Sequence, residues 1–342
     1  MNVSQLSTWL KCQWLWYKVY VDGVRPRYER PAISLGTCTH DILAAYLLGR
    51  DPELGILEWE KQYKKIELTT EEMDLCEEVR STAWKIFERT KKEIDLGHRF
   101  DTATDADGER LVEYHFQIEH PIGDYLGFQG YVDWVAIELA NGREWLTDWK
   151  VRKTFQPVDA EEFSMQMALY TKMVRSNGLN PVGSMTWQLK SAAARAPKEN
   201  KATTKKGRTL SRQLILTDWE TYEEAIRAIG GDPIDYLDMK DKLSAVEWSR
   251  QSRAYWSDAT IEGLWQEAMR ATSEIGTVCS RSVSYLNCKP CRLRDLCQAG
   301  IRGDDTDFLM KTQFQFRDDK PSPLPILVDD DEDEIEPSLK EE

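Results

Sequence analysis

The chain has 342 residues, a net charge of −14, 41% hydrophobic and 30% charged residues. That is room for one large or two ordinary domains around a buried core, in an ordinary water-soluble composition. The apolar runs are far too short to cross a bilayer, and seven unevenly spaced cysteines without a signal-peptide pattern argue against a disulfide framework and for a cytoplasmic protein.

The charge is unevenly spread. The last fourteen residues hold nine acids and one Lys, whereas residues 190–212 hold eight basic residues and one acid. The body is therefore close to balanced. Its basic segment is either a solvated loop or a contact for nucleic-acid phosphates through Lys198, Lys201, Lys205, Lys206 and Arg208.

In chain order, residues 3–20 predict a buried helix, apolar nearly all round, with Cys12 inside it. Residues 36–49 predict a second helix that ends at a Gly cap and carries His40 near its start. Residues 53–66 and 70–96 predict further helices, the second capped by Thr69 or Thr70. Residues 99–105 and 110–118 predict the strands of a first hairpin around Asp-Ala-Asp-Gly, with Glu113 in the second.

The next stretch, residues 127–153, carries the strongest local signal. Asn141-Gly142 between two apolar, β-rich runs predicts a tight hairpin. A two-residue turn there pairs Ala140 with Arg143, Val135 with Asp148 and Asp133 with Lys150. Asp133, Asp148 and Lys150 then share one face of the sheet. Two carboxylates and an ammonium together suit a hard divalent cation, or a cross-strand salt bridge on a solvated face.

Residues 159–177 predict a helix with an Asp cap, on which Gln166 and Tyr170 are four apart and so on one face. Residues 182–190 and 211–216 alternate like strands, joined by a polar basic loop. Residues 218–275 predict helices, with Ser257 capping the last. Residues 304–342 lose periodicity, gather prolines and predict a disordered acidic tail.

Cys288, Cys291 and Cys297 are spaced C-x2-C-x5-C. The first pair is a metal knuckle, but the second C-x2-C pair of a zinc ribbon is missing. A fourth ligand must come from Cys12, Cys38, Cys76 or Cys279, and spacing does not choose among them.

Taken together, these motifs resemble the RecB/AddB-like, iron–sulfur branch of the PD-(D/E)XK nucleases, which also holds the CRISPR-associated adaptation exonucleases. The likeness covers residues 4–297 in seven steps. Ser4, Ser7, Trp9 or Leu10, and Cys12 with the aromatics after it match the opening helix, although Gln13 stands where the family has Pro. Gly36 and His40 match G-x-x-x-H. Glu113 matches a strand Glu, Gly130 and Asp133 match G-x-x-D, and Asp148 and Lys150 match D-x-K. Gln166 and Tyr170 match Q-x-x-x-Y, and the cysteine series closes the set. After the D-x-K Lys the family often has Thr, where this chain has Val151.

The resemblance implies an α/β (α+β) fold: a central mixed sheet flanked by helices, with a restriction-endonuclease-like core over about residues 99–216. One nuclease domain would span 1–303, clamped by residues 4–20 and 279–300. It implies a metal-dependent DNA exonuclease that hydrolyses phosphodiester bonds at DNA ends in repair, recombination or phage DNA processing, in a bacterial cell or phage-infected host. Mg²⁺ or Mn²⁺ would be held by His40, Asp133, Asp148 and the Trp149 carbonyl, with Lys150 orienting the water and Glu113, Gln166 and Tyr170 assisting. Cys12 would complete a [4Fe–4S] cluster with Cys288, Cys291 and Cys297, with zinc as the competing occupant. The acidic tail would reach a helicase or recombination protein. Rival expectations are a CRISPR-type trimming nuclease, a zinc-ribbon binding module, and a silent DNA-binding subunit of a helicase–nuclease complex.

Overall fold

The computed structural model describes residues 2–26, 35–61, 70–97, 99–122, 125–192, 194–200, 208–213, 216–275, 279–289 and 291–316. The N-terminal part comprises α1 (Val3–Lys11), α2 (Gln13–Trp16), a π-helical turn (Tyr17–Val21), β1 (Val24–Pro26), α3 (Leu35–Leu47), α4 (Glu53–Lys61) and α5 (Thr70–Gly97). The middle holds β2 (Phe100–Thr102), β3 (Val112–Ile122), β4 (Tyr125–Glu138), β5 (Arg143–Arg152), a 3-10 turn (Val158–Phe163), α6 (Met165–Ser176) and β6 (Gly183–Lys190). Then follow β7 (Glu199–Asn200), β8 (Thr209–Leu210), α7 (Trp219–Ala228), α8 (Leu237–Ser244), β9 (Ser249–Tyr255) and α9 (Asp258–Ser273). The chain closes with α10 (Tyr285–Cys288), α11 (Arg294–Arg302), α12 (Thr306–Gln313) and β10 (Phe314–Phe316).

Six strands form one mixed sheet in the order β2-β4-β5-β6-β9, with β3 also on β4. Its one parallel pair, β5 with β6, is joined through α6, and the other pairs are antiparallel. Alternation along β4 and β5 sends side chains to two apolar layers. Val135 and Leu146 pack with α1, α6 and α9, whereas Trp134, Ala136 and Trp145 pack with α3, α4 and α5. This is the expected mixed sheet with helices on both faces.

The details differ in physically instructive ways. The hairpin turns through four residues, 139–142, with Glu138 opposite Arg143 and Val135 opposite Leu146. Asn141 explains the wider turn: its side chain accepts the Arg143 N–H at 2.9 Å and donates to the Glu138 carboxylate, while Gly142 takes φ +69°. The register is shifted by two residues from the expected one, so each side chain keeps its face.

Residues 99–105 and 110–118 meet as a hairpin only at its tip, where Thr104 bridges Arg110 and the Leu111 N–H donates to the Ala103 carbonyl at 2.8 Å. β2 and β3 lie end to end along β4, opposite Ala136–Glu138 and opposite the stretch before it. Of the expected strand 211–216, the described residues form no strand, and 214–215 lie outside the described residues. The position beside β6 belongs instead to β9, inside a segment expected to be helical. Its sequence SRQSRAY is polar, and tertiary pairing with β6 overrides its weak strand propensity.

Asp159 opens the 3-10 turn rather than α6, whose cap is Ser164, accepting the Met167 N–H at 3.3 Å. The first helix breaks at Cys12, which is extended (φ −164°, ψ 111°). Ser257 caps α9 as expected. The segment expected to be disordered from residue 304 is ordered through α12 and β10, because β10 pairs with β1 and Phe314 packs among Trp14, Val19, Val24 and Leu293. Residues 317–342, the rest of the expected tail, lie outside the described residues.

Candidate metal and catalytic site

The site lies where the sheet forks. The β4–β5 ladder ends at the pair Trp134–Thr147. Beyond it β4 continues against β3, and β5 continues against β6 through Asp148–Arg152. The parting strands leave the Trp149 backbone groups without a partner on β4, and buried backbone groups need one. Asp133 supplies the acceptor: its Oδ2 takes the Trp149 N–H at 2.8 Å. His40 supplies the donor: its Nε2 lies 2.9 Å from the Trp149 carbonyl.

That bond assigns the Nε2 proton to the imidazole of His40. Nδ1 then faces the Asp133 carboxylate, 3.5 Å from Oδ2. Two acceptors turned toward each other are satisfied by a shared cation, whether proton or metal. α3 fixes the ring because Ile42 and Leu43 anchor it in the tryptophan-rich layer.

Glu113 completes the group. One ligand atom each from His40, Glu113 and Asp133 lies within 4.8 Å of the others. The backbone of Glu113 is left-handed, φ +49°, which is costly for a residue with a Cβ. Its effect is visible along β3: Val112 packs in the layer of α3 and α5, while Tyr114, Phe116 and Ile118 pack in the layer of α6. The twist switches faces at Glu113. Packing around the carboxyl, then the Asp133, Asp41 and Asp148 carboxylates, push Glu113 up to about 8. The residue keeps solvent access, so the crowding by like charge is what a cation would relieve. Asp133 is likewise raised, by burial first, with Asp148 adding to it while His40, Lys150 and the Trp149 N–H oppose.

Asp148 and Lys150 stand beside this group on β5, their Oδ2 and Nζ 3.1 Å apart. Trp149 between them points the other way and is stacked at 5.8 Å on Trp134 and at 4.9 Å on Trp187. This ladder of rings holds the fork from behind.

α6 covers the neighbouring surface. A Cβ on Gly130 would sit 2.7 Å from Phe116 and 2.8 Å from Tyr170, so only Gly lets both rings close on β4. Tyr170 is buried in that layer and hydrogen-bonded to Gln166. For Tyr170 this is helix–sheet packing. Gln166 is half-buried beside it.

Two acids escaped the sequence reading. Glu161 is buried and accepts from Ser184 Oγ at 2.9 Å and Thr186 Oγ1 at 2.5 Å. Burial raises its pKa, and Asp148 adds to this while Lys150 opposes. It reads in sequence as one of several acids at a helix start. The signal that could have found it is Ser-x-Thr inside an otherwise apolar strand, β6. Asp41, next to His40, is pushed up to about 6, by burial first.

The predicted basic contact is only partly described. Lys201, Lys205 and Lys206 lie outside the described residues. Lys198 is exposed, and Arg208 is held by Glu199 in a two-pronged ion pair at 2.6 and 2.7 Å across β7 and β8.

At the termini, Cys12, Cys291 and Cys297 pack against one apolar cluster of Trp14, Leu293, Leu296 and Phe314. Burial pushes the Cys291 and Cys297 thiols up, and Cys12 and Cys288 are close enough to add to the rise in both. The four predicted cysteines thus lie in one region, though no three of their sulfurs come within 4.8 Å of one another. Three thiols against one apolar cluster, with Cys288 half-buried beside them, are the kind of donors a soft metal centre takes. Cys38 lies in the core near α4 and α5, and Cys76 is on α5. Cys279 lies at the edge of the pocket, near Cys12.

No described helix is long and apolar enough to cross a membrane. No curated protein matches the chain. A solved structure of a candidate exonuclease from Eubacterium rectale is similar at 13% identity and a TM-score of 0.34, covering 84% of this chain and 91% of that one. The family model of the PD-(D/E)XK nuclease superfamily matches residues 1–298. With that match over most of its length, the chain belongs to the PD-(D/E)XK nuclease superfamily and is a hydrolytic nuclease.

Proposed function

We propose that the chain is a Mg²⁺- or Mn²⁺-dependent deoxyribonuclease that works from DNA ends, of the RecB/AddB-like branch. The observation that carries this is the meeting of His40, Glu113 and Asp133 at the sheet fork, beside the Asp148–Lys150 pair. One nitrogen and several carboxylate oxygens suit a hard divalent cation, and their mutual repulsion is relieved by one.

His40 Nδ1, Glu113 and Asp133 would hold the metal, with Asp148 beside them as a further ligand. A cation bound there polarises the phosphoryl oxygen and lowers the pKa of a coordinated water. Lys150, tethered by Asp148, orients the attacking water and offsets charge that builds on the phosphate oxygens. The Trp149 carbonyl, expected as a metal ligand, instead accepts from His40 Nε2 and fixes the ring so that Nδ1 faces the site. Tyr170 closes α6 on Gly130, and Gln166, hydrogen-bonded to it, would meet a substrate phosphate. Cys12, Cys288, Cys291 and Cys297 would hold a [4Fe–4S] cluster that ties the two termini together; its energy of binding is energy of folding.

The test is a comparison of end-labelled linear DNA with closed circular DNA, in Mg²⁺ and in Mn²⁺. Linear DNA should be shortened from its ends while circles persist. Linearised or nicked circles would contradict action from ends, and two intact substrates would contradict the nuclease assignment to DNA.

A further inference from the structure

The segment before α10 is strapped to α2. The Trp14 N–H donates to the Ser280 carbonyl at 3.0 Å. Gln13 Oε1 accepts from both the Ser280 N–H, at 3.1 Å, and the Ser280 hydroxyl, at 2.6 Å. The next residue, Arg281, is thereby laid over the cysteine pocket. Its guanidinium is 5.1 Å from the centre of the Trp14 ring, in the cluster against which Cys12, Cys291 and Cys297 pack, and its charge opposes the rise that burial gives the Cys297 thiol. Gly300, one turn beyond Cys297, leaves space for it: a Cβ there would already touch Arg281 Nη2 at 3.5 Å.

We propose that Arg281, positioned by Gln13 and Ser280, is the fixed counter-cation of the four-cysteine pocket and the brace of its solvent-facing side. This rests on the iron–sulfur reading above. Four thiolates in a half-buried pocket concentrate negative charge where water is scarce. A guanidinium remains charged at any working pH, is weakly hydrated, and can stack on Trp14 while its N–H groups point at sulfur. Partners of this kind tune a metal centre through its ligands.

Gln13 gives the arrangement a particular meaning. It stands where the resembled family has Pro, and Pro has no side-chain acceptor for Ser280. The substitution Gln13→Pro is nonetheless compatible with the backbone. Residue 13 is the first of α2, where Pro is favoured, and Cys12 before it is extended, as a residue preceding Pro prefers. The variant therefore removes the two side-chain bonds of the strap, leaving the Trp14–Ser280 backbone bond and a fold able to form. Arg281 is exposed, so its replacement does not open the core.

The experiment uses the full chain purified without oxygen. Iron and acid-labile sulfide are measured, then the rate at which the visible absorbance bleaches in air with chelator, and the midpoint potential. Arg281→Ala and Gln13→Pro should bleach about tenfold faster than wild type, as expected for the loss of one close compensating charge. Arg281→Lys should fall between. Arg281→Ala should also shift the midpoint to more negative potential, because a removed positive charge disfavours the reduced centre. A wild-type protein with zinc, or without iron and sulfide, overturns the iron–sulfur reading itself. A wild-type cluster with all variants bleaching at its rate overturns the role of Arg281. Fast bleaching in Arg281→Ala with wild-type behaviour in Gln13→Pro overturns the positioning by Gln13.

Discussion

At the scale of single residues, two carboxylates, Glu113 and Asp133, meet the His40 imidazole, with Asp41 next to it in the chain. Glu113 is displaced from 4.5 to about 8, and Asp41 from 3.8 to about 6. An acid whose pKa is higher in the fold than in the unfolded chain favours the fold while protonated. Its contribution is complete below the unfolded value and is lost as pH rises through the folded one. Metal-free protein should therefore lose stability between about pH 4 and pH 8 through these two groups. A divalent cation replaces the missing protons, so Mn²⁺ should raise the melting temperature more at pH 8 than at pH 6. Melting curves in Mn²⁺ and in EDTA at the two pH values check this; equal gains would show that Glu113 does not face the cation. Glu113 could be picked from sequence as a strand Glu within a motif order, but its left-handed φ could not.

At the scale of elements, β4 and α6 meet across the missing Cβ of Gly130. Gly130→Ala pushes a methyl into Phe116 and Tyr170, whose rings are 4.9 Å apart and nearly perpendicular. The variant should lose about 1–3 kcal/mol of stability, the usual cost of overpacking a tight contact. Urea unfolding measures this, and an unchanged midpoint would mean that α6 can ride up without cost. The sequence made most of this level readable. Helical periodicity located α3, α5 and α9, and Asn-Gly located the hairpin. The parity of side chains along β4 and β5 put Asp133, Asp148 and Lys150 on one face even though the register was two residues off. What stayed hidden depends on long-range pairing. β9 is a polar heptapeptide made a strand by β6, and the fork is created by β3 and β6 pulling their partners apart.

For the whole molecule, the decisive feature is that the N-terminal segment, residues 2–26, meets residues 279–316. β1 pairs with β10, the Cys12 region packs on α11, and Asn287 reaches the Lys11 carbonyl. The periodicity of α12 and β10 was too short to read in sequence, and only their docking orders them. If the cysteine pocket holds its metal centre, removing the centre should loosen this terminal layer before the sheet. Brief proteolysis of Cys297→Ser should cut within 279–289 while a fragment containing the sheet persists. Wild-type resistance in that variant would show that apolar packing alone closes the layer. The layer leaves the fork untouched in position but fixes α1, which packs on the same face as α6 through Val3 and Leu6.

The most direct test of the account is the rate of phosphodiester hydrolysis on end-labelled DNA in Mn²⁺, for wild type, Asp148→Ala and Lys150→Ala. On the proposed reading, Asp148 would help hold the metal and Lys150 would meet the reacting water. Both variants should lose roughly a hundredfold or more in rate, in line with the loss of one preorganised charge, while melting close to wild type in EDTA. Hydrolysis at the wild-type rate in both variants would place the chemistry elsewhere in the molecule.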